Sequence, residues 1–127
     1  MNNAAQRWSE QARYDLETAY AMLEAERYLY VLFCCQQALE KAMKSVIVKR
    51  TGTFPPRIHN LLRLIEAAGI EIEPKYTEFL GELSAYYIQT RYPEEIESMG
   101  ESINRHIAEK VLLETREVME WLFSMLK

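Results

Sequence analysis

The side chains most able to do chemistry in this sequence lie in the stretch "YYIQTRYPEEIE", residues 86–97. Proline has no backbone donor and disfavours the α conformation in the preceding residue, so Pro93 predicts a helix end near residues 90 and 91. The aromatic rings of tyrosines at such a bend can contact an arginine guanidinium. The N–H groups of that guanidinium then stay free to bind a phosphate or carboxylate. Arg91 is therefore a candidate phosphate ligand, with Tyr92 and Tyr86 packing or stacking beside it.

Arg91 also has a purely structural interpretation. A cation in the last turn of a helix meets the partial negative charge of the helix end, a contribution of about 0.3–1 kcal/mol when the cation is exposed. Lys49 and Arg50, near the end of another predicted helix, allow the same interpretation. The sequence leaves both explanations of Arg91 open.

A second candidate group is Gln37, Lys41 and Lys44, which recur at steps of four and three residues and so share one face of a helix. Two cations and an amide on one face can contact a nucleotide phosphate. The structural alternative is a solvated face on which Glu40 and Lys44 form an ordinary i,i+4 pair.

The two histidines differ in context. His59 follows "PPRI" at the start of a predicted helix. It either bonds a nearby backbone group and fixes the preceding loop, or lines a cleft with Arg91. His106 stands in a polar stretch beside Arg105 and Glu109 and is expected at the surface.

Charge is unevenly distributed along the chain. The net charge is −4, which argues against extensive nucleic-acid binding. Residues 41–65 nevertheless hold six basic side chains and no acidic one, which leaves nine basic against nineteen acidic side chains in the remainder. This acid-free segment is the part of the sequence that favours an anionic ligand.

Length and composition indicate one soluble domain. The 127 residues suffice for one core, the N-terminus has no apolar run of signal-peptide length, and no window reaches the roughly 18 apolar residues that span a bilayer. We expect a cytoplasmic protein. Cys34 and Cys35 are adjacent in a helical pattern, where their side chains point apart, so we expect small buried thiols in a reducing compartment. No metal site and no cofactor are expected.

Apolar residues recur at helical spacing in five segments. The predicted helices cover residues of about 3–25, 26–50, 57–68, 74–91 and 101–125. The second is apolar on more than one face and should be central. The segment "EEIESMGE" after Pro93 is predicted as a flexible solvated loop; the alternatives are a surface that repels anions from a cleft or attracts a basic partner.

Four long helices and a short one, joined by short connections, favour an all-α antiparallel bundle. We expect residues 1–127 to form this single domain.

The order of segments resembles the HEPN domain family of small all-α domains, over residues of about 8–126. The segments that carry the resemblance are "ARYDLETAYAMLEAERYLYVLFCCQQALEKAMKSVIVKRTG", "PPRIHNLLRL" and "YIQTRYP". The most specific pieces within them are Asp15 with Leu16, "FCCQQALEKAMK", "HNL" and "TRYP". The resemblance implies a helical bundle that commonly pairs as a homodimer. It also implies a minimal nucleotidyltransferase as partner, sometimes in a toxin–antitoxin pair.

Many members of this family are metal-independent ribonucleases, whose signature is an arginine followed by four to six residues and a histidine. The sequence departs from that signature, because the corresponding window after Arg91 ends at Ser98 without a histidine. Metal-free RNA cleavage needs a group that takes the 2′-hydroxyl proton and another that stabilises the phosphorane. An arginine alone only binds phosphate, so the sequence favours a non-enzyme.

Three functions follow from these patterns. The leading one is a HEPN-like partner subunit of a nucleotidyltransferase that offers a cationic pocket to a nucleotide or RNA phosphate. Its candidate ligands are Arg91, Tyr92, Lys41, Lys44, His59 and Gln37. The alternative is a divergent ribonuclease in which His59 reaches Arg91, and the third is a scaffold that only holds a partner through apolar surface.

Overall fold

The computed structural model describes residues 3–88 and 92–126, and these residues form six α-helices without a strand. The helices are α1 (Ala4–Glu24), α2 (Tyr28–Thr51), α3 (Leu61–Ala68), α4 (Pro74–Ile88), α5 (Pro93–Ser102) and α6 (Arg105–Ser124). The predicted all-α class is confirmed. None of the helices in the described ranges combines the length and apolar character needed to cross a membrane.

α2 is the central helix, as its apolar pattern predicts. It packs against α1, α3, α4, α5 and α6. Most of its residues between Val31 and Val48 are buried, and Leu39 and Met43 are fully so. Because every neighbour buries its apolar stripe against this helix, side chains on α2 can reach several segments of the chain.

Local signals set the helix ends that matter for the candidate site. α2 ends at Gly52, which has φ of 69° and adopts the left-handed conformation that glycine tolerates. α3 begins at residue 61, four residues later than predicted, because the Asn60 side chain accepts hydrogen bonds from the backbone of Leu62 and Arg63. His59 therefore lies in the irregular segment that leads into α3.

The loop predicted for "EEIESMGE" is wrong, since this segment belongs to α5. Proline suits the first turn of a helix, and Glu94 and Glu95 complement the positive helix end there. Buried Met99 holds α5 against the bundle. The last helix begins at residue 105 instead of about 101, because Asn104 accepts a hydrogen bond from the Ile107 backbone and caps α6.

Both cysteines are free thiols. Cys35 is buried, as expected, whereas Cys34 is half-buried. Burial raises the pKa of the Cys35 thiol to about 12, and burial together with Asp15 raises the pKa of Cys34.

Candidate functional site

Both candidate lysines of α2 are paired with carboxylates. Lys41 Nζ lies 2.7 Å from Asp15 Oδ2 of α1. Lys44 Nζ lies 3.0 Å from Glu40 Oε2 and 5.5 Å from the centre of the Trp8 ring. The Glu40–Lys44 pair expected from the sequence is present, but the solvated face proposed for it is wrong, because the Lys44 side chain is only 8% exposed.

Glu40 connects α2 to the segment that precedes α3. Its second oxygen, Oε1, lies 3.0 Å from Nδ1 of His59. One turn earlier on α2, Gln36 Nε2 donates to the backbone oxygen of His59 at 2.8 Å. Gln36 is buried, whereas Gln37, the candidate phosphate contact, is exposed.

The His59 ring is held but accessible. It stacks on Tyr87 of α4, with ring centres 6.2 Å apart and planes inclined by 19°. The His59 side chain is still 68% exposed, while that of Glu40 is 13% exposed. The partly buried Glu40 carboxylate therefore fixes Nδ1 of the His59 ring. The other ring nitrogen, Nε2, lies on the opposite side of the ring from Nδ1.

This arrangement defines what His59 can do. In a neutral ring the hydrogen bond to Glu40 favours the proton on Nδ1, which leaves Nε2 as an acceptor for a proton or a hydrogen bond. In a protonated ring Nε2 becomes a donor suited to a phosphate oxygen. Glu40 also neutralises Lys44, so its charge is shared between two partners.

Arg91 lies outside the described residues, and so does any contact it makes. Tyr92 is the residue before α5 and is extended, with φ of −124° and ψ of 142°, as the following proline predicts. Its side chain is 63% exposed. Tyr86 is half-buried and packs against the core.

Two of the six cations in the acid-free segment 41–65 are neutralised by carboxylates. Lys41 and Lys44 are neutralised by Asp15 and Glu40, which lie outside the segment in sequence. Arg50 donates to the backbone oxygens of Ala68 and Gly69 at the end of α3, at 3.1 and 3.2 Å. Within the described part of the segment, the cations outside any ion pair or hydrogen bond of their side chains are Lys49, Arg57 and Arg63.

A family model for the HEPN domain matches residues 5–126 of this chain. The chain belongs to the HEPN family. This HEPN domain is similar to the crystal structure of TT1696 from Thermus thermophilus, with a TM-score of 0.84 and 28% identity. That comparison covers 99% of this chain and 100% of TT1696.

A second solved structure shares the fold. It is ST0689, described as an archaeal HEPN homologue, with a TM-score of 0.72 and 20% identity over all of both chains. The comparison with curated proteins found no match. The family assignment therefore rests on matches that cover nearly the whole chain.

Sequence reasoning missed the carboxylates of this site. Asp15 is among the residues that carry the family resemblance and Glu40 is the expected partner of Lys44, but the sequence does not predict that either fixes a candidate ligand. One signal was available: Gln36, Glu40 and Lys44 recur every four residues and share one face of α2. Nothing in the local pattern indicated that His59 would meet that face.

Proposed function

We propose that this HEPN domain is a nucleotide- or RNA-phosphate-binding subunit that partners a minimal nucleotidyltransferase. A toxin–antitoxin pair is one setting that the family resemblance implies for that complex. A homodimer in the cytoplasm is part of the same proposal. The observation that carries the binding function is the exposed His59 ring, fixed between Glu40 and Tyr87.

The position of Tyr87 makes this ring relevant to Arg91. Tyr87 precedes Arg91 by four residues, and four residues span at most about 14 Å. Because the His59 ring stacks on Tyr87, in this proposal His59 and Arg91 contact one phosphate or two neighbouring phosphates of an oligonucleotide. Tyr92, which is 63% exposed, is then available to stack on a base.

The lysines have a different role in this proposal from the one expected. Lys44 holds Glu40, and Glu40 holds His59, so Lys44 is a positioning residue. Lys41 is 23% exposed and paired with Asp15, so a phosphate has to compete with that carboxylate. Gln37 is exposed and remains a secondary contact.

Binding is tested by fluorescence anisotropy with a labelled oligouridine at constant ionic strength. Arg91→Ala should weaken binding about tenfold or more, the scale of one lost charge-assisted hydrogen bond. Arg27→Ala, which removes an exposed cation at the start of α2, about 20 Å along the helix from Glu40, is the matched control and should change little. Equal losses in both variants indicate non-specific surface charge, and no loss in Arg91→Ala rules the site out.

The complex is tested by co-expression with a minimal nucleotidyltransferase, followed by size-exclusion chromatography with light scattering. For the HEPN domain alone, we expect a molar mass of twice the 15.0 kDa chain mass. With the partner present, we expect a species of larger molar mass. A monomer that ignores the partner contradicts this part of the proposal.

A divergent metal-independent ribonuclease is the second candidate, favoured by the hydrogen bond between Glu40 and His59. A carboxylate that fixes the ring tautomer prepares Nε2 as a general base. The assay is RNA degradation in EDTA. Cleavage that disappears in His59→Ala and persists in His106→Ala supports the enzyme, whereas intact RNA with the unmodified protein rejects it.

A further inference from the structure

A groove lies where the start of α1 meets the ends of α2 and α6. The groove is open to solvent and has a volume of about 720 Å³. This volume is within the range typical of small-molecule pockets. Its apolar wall is formed by Ala5, Val48, Phe123 and Leu126. None of the groove residues takes part in the network of Glu40, Lys44 and His59.

The charged side chains of the groove are both cations. Arg13 Cζ lies 4.4 Å from the centre of the Phe123 ring, so an aromatic face holds the guanidinium plane and leaves its edge open. Lys49 is exposed in the last turn of α2. No carboxylate pairs with Arg13 or Lys49 within residues 3–88 and 92–126.

Other charges near the groove do not cancel these cations. Gln6 donates to Glu10 at 3.0 Å, which brings one carboxylate to the rim. The start of α1 and the end of α2 carry opposite partial charges of about half an elementary charge each, and these offset one another. Among the residues that the structure describes, the groove lining holds two cations and no carboxylate, in a chain whose net charge is −4.

We propose that this groove binds a small organic anion with a linear aliphatic body. The carboxylate or phosphate lies at Arg13 and Lys49, and the aliphatic body lies against Val48 and Leu126. The aliphatic wall favours this class over single-stranded RNA, whose bases bind by stacking on aromatic faces, because Arg13 already covers one face of Phe123. The site is separate from the proposed phosphate site at His59, so either can fail without the other.

The test is titration of the ¹⁵N-labelled protein with four ten-carbon probes below their micelle concentrations. These probes are decanoate, decyl phosphate, decanol and decylammonium. We expect saturable amide shifts at the groove with the two anions, weak shifts with decanol and none with decylammonium. The comparison of decanoate with decyl phosphate shows which anionic group the site prefers.

The cations are tested by the double variant Arg13→Gln/Lys49→Gln. Its affinity for the better anion should fall about tenfold or more, since two charge-assisted contacts are lost, while weak decanol binding persists. The control is Arg63→Gln/Lys110→Gln, which removes two cations outside the groove and should bind as the unmodified protein does.

Three results overturn the proposal. The first is equal binding of decanol and the anions. The second is an absence of saturable shifts with either anion, and the third is unchanged affinity in the Arg13→Gln/Lys49→Gln variant. If the second result comes with shifts at the groove caused by an oligouridine, the surface is assigned to RNA.

Discussion

Glu40 Oε1 lies 3.0 Å from His59 Nδ1, across 19 residues of sequence. The same carboxylate lies 3.0 Å from Lys44 Nζ through its other oxygen. One side chain of the central helix thus neutralises a nearly buried cation and orients an exposed imidazole. Stability and the geometry of the candidate phosphate site depend on the same residue.

Glu40→Ala should destabilise the protein strongly. It leaves Lys44, only 8% exposed, without its carboxylate, and the loss of one partner of such a buried pair costs about 3 kcal/mol. Urea unfolding measures the change in the free energy of unfolding. Glu40→Ala/Lys44→Met should recover most of the loss, because no cation then remains buried.

The control for Glu40→Ala is Glu120→Ala, which breaks an i,i+4 pair with Arg116 that is more than half exposed on both sides. It should leave the urea midpoint unchanged, because exposed pairs contribute little. Similar losses in Glu40→Ala and Glu120→Ala contradict the account of Lys44 burial.

The adjacent glutamines provide a matched pair. Gln36 is 1% exposed and donates to the backbone oxygen of His59, whereas Gln37 is exposed. Gln36→Leu should lower the free energy of unfolding by about 1–2 kcal/mol, because it leaves a carbonyl without its donor. Gln37→Leu should stay within about 0.5 kcal/mol. Equal effects in chemical denaturation contradict the importance of this long-range hydrogen bond.

Glu114 of α6 gives a pH prediction. Its pKa is raised above the ordinary value of 4.5, chiefly by partial burial, with repulsion from Glu82, Glu117 and Glu78 added and Lys110 opposing. At pH values between 4.5 and the raised pKa of Glu114, the folded state binds more protons than the unfolded state. Stability contributed by this group is therefore complete below pH 4.5 and is lost as the pH rises through the folded pKa.

Glu114→Gln should accordingly raise the melting temperature at pH 7, and the gain should shrink as the pH approaches 4. Thermal unfolding followed by circular dichroism between pH 4 and pH 8 measures this difference. Glu101→Gln, at an exposed position of α5, is the control for a change of one charge. A gain that is constant across the pH range means that the raised pKa of Glu114 has no effect on stability.

The thiols should react slowly at neutral pH. Burial and Asp15 raise the pKa of Cys34, so little thiolate is present. In a Cys35→Ala background, Asp15→Asn should increase the rate of alkylation of Cys34 by iodoacetamide, because it removes the negative charge that disfavours the thiolate. The pH dependence of that rate should move to lower pH, and an unchanged profile contradicts the influence of Asp15.

The helical spacing of apolar residues predicted the all-α fold and the central position of α2. The apolar residues of α2 cover more than one face, and such a helix has to be central. The extended conformation that Pro93 predicts for Tyr92 is confirmed, because the constraint is steric and local. α5 was missed because its four glutamates were interpreted as a solvated loop, although proline and acidic residues also begin helices.

The candidate site was less predictable because it is made by long-range contacts. Gln36 meets His59 across 23 residues, and Lys41 meets Asp15 from the neighbouring helix. A cluster of lysines in sequence is therefore no measure of local charge once the chain is folded. Identifying Glu40 as the residue that holds His59 required the position of the segment before α3.

The most direct test of the proposed phosphate site uses the two histidines of the chain as probe and internal control. The ring C–H signals of His59 and His106 are followed by NMR while AMP is added at constant pH and ionic strength. The account predicts a saturable shift of the His59 signals with those of His106 unmoved, and the loss of that shift in Arg91→Ala. Equal movement of both histidines, or none at His59, contradicts it.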